Sequence, residues 1–115
     1  MELKITIQDR NEIEKILLVL SLGILDSLEQ GAITFQQAFR LFLRPYIAQY
    51  LEKHESQEEV VDFFNNICML EDVARLVPEK LSTSIKSSRQ EALKLLRNIP
   101  LDEDLEKFWL NNFDN

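Results

Sequence analysis

From position 13 to 28 the chain carries ten aliphatic residues, and almost nothing polar falls between Ile16 and Leu25. A helix that is apolar on nearly every side needs other elements to cover it all round. The pattern therefore predicts a central helix over about 11–30, with Asp9 or Asn11 as N-cap and Gly31 as the left-handed closing residue. Gly23 falls in its middle, at a cost of ~1 kcal/mol against alanine. It either lets another helix approach closely or is a local accident. Ahead of this helix, residues 3–7 alternate, with Leu3, Ile5 and Ile7 on one side and Glu2, Lys4, Thr6 and Gln8 distributed opposite. That period of two is the mark of a half-buried strand. No second strand is evident, so the segment either lies over the bundle as an extended arm or pairs with its mate in a homodimer.

After Gly31 the period becomes helical. Thr34 caps a second helix whose apolar positions are Phe35, Ala38, Phe39, Phe42, Leu43, Tyr46, Ile47, Tyr50 and Leu51. Pro45 lies inside this stripe, which stays in phase across it, so a kink or one-turn break is expected rather than a reversal. The aromatic density reads as a core stripe and not as a ligand pocket. Ser56 and Glu59 have the spacing of a capping box for a third helix, with Val60, Phe63, Phe64, Ile67, Leu70, Ala74 and Val77 inward, ended by Pro78. A fourth helix is predicted over 79–98, burying Leu81, Ile85, Ala92, Leu95 and Leu96. Its hydroxyl-rich centre, 82–88, is expected to face solvent. After Pro100, Asp102 caps a last amphipathic helix over 103–112, with Leu105, Phe108, Trp109 and Phe113 on its apolar edge. The fold class is thus all-α: one domain, a bundle of about five helices around a central hydrophobic one.

Composition fits that picture. The chain has 115 residues, enough for one core. Its longest apolar run is short of the ~18–20 residues that a membrane span needs. A single cysteine, Cys68, and the lack of a signal-like leader make a reduced cytoplasm the expected compartment. The net charge of −7 argues against nucleic acid as partner and for a basic protein. Acids concentrate in 52–72 and bases in 75–97, a split that mutual attraction between neighbouring helices would explain.

Chemistry-bearing constellations are absent from the sequence. One histidine, His54, and one cysteine cannot supply four zinc ligands or the Glu-x-x-His pairs of a di-iron bundle. Two glycines make no phosphate loop. A helix-turn-helix reading of 31–42 fails because the second helix would show bases Phe and Leu, with only Arg40 and Arg44 basic. No cofactor, metal site or catalytic set is expected, and the chain reads as non-enzymatic.

Leu28-x-x-Gly31-x-Ile33-Thr34-x-x-x-Ala38-x-x-x-Phe42-x-x-Pro45 resembles a segment of small, acidic, all-helical bacterial proteins of largely unknown activity. Leu70-Glu71-Asp72-Val73 and Leu76-Val77-Pro78-Glu79-Lys80 resemble their second half. Some of those proteins resemble immunity proteins of polymorphic toxin systems, which bind and neutralise a toxin. The resemblance implies a protein-binding role, with an acidic surface set against a basic partner such as a toxin. The residues expected to carry binding are Glu52, Glu55, Glu58, Glu59 and Asp62 around the junction of the second and third helices, with Tyr50 as the nearest aromatic. The acidic start of the last helix (Asp102, Glu103, Asp104) and Trp109 come second. The alternative is a self-associating structural or regulatory protein, pairing through residues 3–7.

Overall fold

The computed structural model describes residues 1–100 and the strand Leu110–Phe113. Within them the chain is all-α apart from two short strands: β1 (Leu3–Ile5), α1 (Arg10–Glu29), α2 (Phe35–Leu41), α3 (Pro45–Lys53), α4 (Glu58–Ile67), α5 (Leu70–Leu76), α6 (Leu81–Asn98) and β2 (Leu110–Phe113). A 3-10 turn over Pro78–Lys80 leads into α6. Among the described residues six helices stand where four of the five expected ones fall, because two of those four are each broken in two.

α1 forms where the apolar run predicts it. Asp9 caps it by accepting from the Glu12 amide at 3.1 Å. At the other end Gly31 adopts φ +72°. The amides of Gly31 and Ala32 then reach back to the Leu28 and Ser27 carbonyls, closing the helix in a Schellman turn. α1 packs chiefly on α6. Arg89 fastens the two, donating to Glu29 at 3.0 Å and to Asp26 at 3.5 Å. Leu18 and Leu25 are fully buried.

The helix is nevertheless not enclosed. Val19 is 48 % and Leu20 43 % exposed, which corrects the expectation of cover on every side. No neighbouring atom comes within 4 Å of where a Gly23 side chain would begin, so Gly23 does not serve a close helix approach.

The second expected helix breaks at Pro45. Thr34 starts α2 with a complete capping box, Thr34 Oγ1 accepting from the Gln37 amide and Gln37 Oε1 from the Thr34 amide. Proline then supplies no amide and begins α3. Arg44 takes up the loose end, donating to the Phe39 carbonyl at 2.9 Å and to that of Arg40 at 3.3 Å, with its guanidinium 5.4 Å from the Phe39 ring centre. The stripe does not all turn inward. Ala38, Leu43, Ala48 and Leu51 are buried, but Phe39, Tyr46 and Tyr50 are exposed, contrary to the reading of this aromatic edge as core.

The third expected helix divides into α4 and α5 at Cys68 and Met69. Its predicted capping box is not made. Gln57 is the N-cap and makes no side-chain cap hydrogen bond, while Ser56 Oγ is buried without a partner. α4 still contributes the heaviest part of the core. Phe64 is almost wholly buried, edge-on to Phe63 at 5.1 Å and to Phe42 at 6.1 Å.

β1 is shorter than the alternating segment, and Leu3 and Ile5 are exposed rather than half-buried. It pairs antiparallel with β2, Leu3 opposite Phe113 and Lys4 opposite Asn112, with an irregularity before Ile5 opposite Leu110. Residues 110–112 are therefore strand, not the end of the expected last helix; the rest of that helix, 103–109, lies outside the described residues. The missing strand partner is within the chain. Pairing inside one chain removes the backbone deficit that had suggested either a free arm or a homodimer. None of the described helices is long and apolar enough to cross a membrane.

Candidate functional site: an apolar groove beside an acidic junction

The exposed side of α1 faces α3, and a groove of about 300 Å³ lies there. α1 contributes Ile13, Ile16, Leu17 and Leu20, the spacing of one helix face. α3 contributes Tyr46, Ile47 and Tyr50, and the N-terminal segment closes one side with Ile5 and Ile7. Among the described residues no charged side chain lines it.

Along α3 the groove runs into an aromatic ladder. Tyr46 and Tyr50 lie one turn apart with ring centres 6.2 Å apart, and Tyr50 meets the His54 ring at 4.4 Å. Tyr46 is 67 % and Tyr50 38 % exposed. His54, at the C-cap of α3, is where the acidic stretch begins. Glu52, Glu55, Glu58, Glu59 and Asp62 are all exposed. None of the five forms an ion pair among the described residues. The attraction expected between segments 52–72 and 75–97 is limited to Arg75 and Asp72, 3.0 Å apart within α5. The carboxylates at the junction are left to face water unneutralised.

The junction loop is held from beneath. Glu55 takes φ +59°, a conformation that few residues other than glycine adopt. Its carbonyl accepts from Arg10 Nη1 at 3.4 Å. The same guanidinium stands 3.7 Å from Glu14, whose side chain is fully buried. Neither Glu14 oxygen has a well-formed hydrogen bond. Burial pushes the Glu14 carboxyl above its ordinary range, and Arg10 and the Gln57 main-chain amide draw it only partly back.

A proton is thus bound more tightly by Glu14 in the folded chain than in the unfolded one. The stabilisation is complete below the ordinary carboxylate pKa and is lost as pH rises through the raised one. Glu14→Gln is expected to raise stability near neutral pH by about 1–3 kcal/mol and to add little in acid. Urea midpoints measured across pH check it; equal midpoints for the two proteins at neutral pH would refute it.

A larger cleft, about 530 Å³, lies between α4, α5 and α6, with Phe63, Leu70 and Val73 opposite Ser84, Ser88 and Glu91. Four of the five hydroxyl residues expected to face solvent line it, and two of them, Ser84 and Ser88, are half-buried. Glu91 is the only charged group among the described residues that line it. Cys68 is half-buried and its thiol is pushed up by burial, which makes it a poor nucleophile. Among the described residues no group of three or more His, Cys, Asp or Glu could hold a metal.

Of the residues singled out in the sequence, the structure places Tyr50 and the five acids at one end of α3 and the start of α4. Asp102, Glu103, Asp104 and Trp109 lie outside the described residues. The sequence reading missed the groove and Tyr46. The signal was present in the apolar excess of α1, wider than one core face requires.

No curated protein and no solved structure matches the chain. A family model described as "Protein of unknown function (DUF3969)" matches residues 8–111, nearly the whole chain. This protein belongs to the DUF3969 family.

Proposed function

We propose that the chain is a non-enzymatic protein-binding module, an immunity-type inhibitor whose acidic surface engages a basic partner such as a toxin in a reduced cytoplasm. The observation that carries this reading is the exposed ladder of Tyr46, Tyr50 and His54, which ends at five exposed carboxylates that form no ion pair among the described residues. Exposed tyrosines are the residue type that anchors interfaces. Carboxylates at the rim steer a basic partner in and set the salt dependence of its approach. The resemblance of 28–45 and 70–80 to small acidic helical bacterial proteins, some of which resemble immunity proteins, points the same way.

The test is binding to, and protection against, the product of the adjacent gene. Glu58→Lys with Glu59→Lys is expected to slow association at least about tenfold at low salt, with a smaller loss at high salt. Failure of affinity capture to recover a basic partner, together with failure to protect cells, overturns the proposal.

A further inference from the structure

We infer that the groove between α1 and α3 receives the apolar face of a basic amphipathic helix supplied by the partner. The inference rests on the binding role proposed above and names the chemistry of the segment that binds. The groove has an uncharged lining, so what enters it is aliphatic or aromatic. Its walls are helix faces with residues at positions i, i+3, i+4 and i+7 on α1, the form of groove into which a helix lays its own apolar stripe.

Charge complementarity fixes the rest. Tyr50 belongs both to the groove and to the ring stack on His54. From Tyr46 to His54 is eight residues of helix, about 12 Å, and beyond it stand Glu55, Glu58 and Glu59. A segment seated in the groove therefore meets unpaired carboxylates within about two to three turns. Lysine or arginine at that distance from the apolar anchors pairs with them, and the exposed faces of the tyrosines accept the same cations. An acidic amphipathic helix would fit the groove and be repelled by the junction.

The probe is a synthetic helical peptide of about 18 residues, with leucines at i, i+3, i+4 and i+7 and lysines over the following two turns. It is titrated into the full chain while backbone amide shifts are followed. Saturable shifts are expected at 13–20 and 46–59. Leu20→Asp with Tyr46→Ser is expected to weaken binding at least tenfold while the rest of the spectrum stays that of the folded protein. A peptide with serine for leucine is expected to lose the groove shifts, and one with glutamate for lysine to lose binding.

If the serine peptide binds as well as the leucine one, or if the groove variant binds normally while Glu58→Lys with Glu59→Lys does not, the groove is not the docking site and only the charge reading survives. If the leucine–lysine peptide does not bind at all, the inference is overturned. Failure of the binding role itself is read separately, from protection and capture with the adjacent gene product. A full chain that sediments as a dimer and is made monomeric by Leu20→Asp assigns the groove to a second copy, which also overturns it.

Discussion

Phe64→Ala is expected to cost about 3–5 kcal/mol of folding stability, lowering the thermal midpoint by on the order of 20 °C. Phe64 is among the largest side chains that are almost wholly buried. Its ring is the hub of an edge-on trio with Phe42 and Phe63, so truncation removes apolar burial and two ring contacts together. The trio also joins α4 to the segment between α2 and α3, whose helices the proline break has separated. Urea and thermal unfolding of the variant measure the effect, and a loss below about 1 kcal/mol would mean that the core is not assembled around this ring.

The second large effect distinguishes the two faces of α1. Leu18→Asp puts an unpaired carboxylate where no part of the side chain reaches water, and it is expected to abolish cooperative unfolding altogether. Leu20→Asp, two residues on, is expected to stay within about 1 kcal/mol of the parent, because Leu20 is already 43 % exposed. Circular dichroism melts of the two variants side by side read the difference. If both unfold the protein, α1 is enclosed after all, and the groove loses one of its walls.

The contrast also shows what the sequence could and could not convey. The extent of α1 was legible, with Asp9 as one of two candidate caps and Gly31 as its stop, because these signals are local: a polar cap before the apolar run and a glycine after it. Thr34 as N-cap was legible for the same reason, although the reciprocal bond from Gln37 was not read. The box at Ser56 was not realised, although its spacing is the same. There the loop is pinned from outside by Arg10 on the Glu55 carbonyl, and tertiary contact overrides the local preference. β2 was missed because Asn111 and Asn112 carry little strand propensity, and the strand exists by pairing with β1. The aromatic stripe was read with the wrong face inward at Tyr46 and Tyr50. Periodicity reports that positions share a face of a helix. It does not report how much of the face finds a neighbour.

For the site, the acidic junction could be read from charge along the chain, since its five residues lie within eleven positions of one another. Of the groove, only the apolar excess on α1 was legible, and its shape was not. It depends on how far α3 stands from α1 after the break at Pro45, and that distance is a property of packing.

The pairing of α1 with α6 has a consequence for how the protein is made. The most apolar helix leaves the ribosome before the helix that covers it, and Arg89, which ties down its end, follows Asp26 by 63 residues. At about 5–20 residues per second, the hydrophobic helix waits roughly 3–13 s for its main cover. During that interval its apolar face is uncovered, the condition under which a nascent chain is most prone to aggregate.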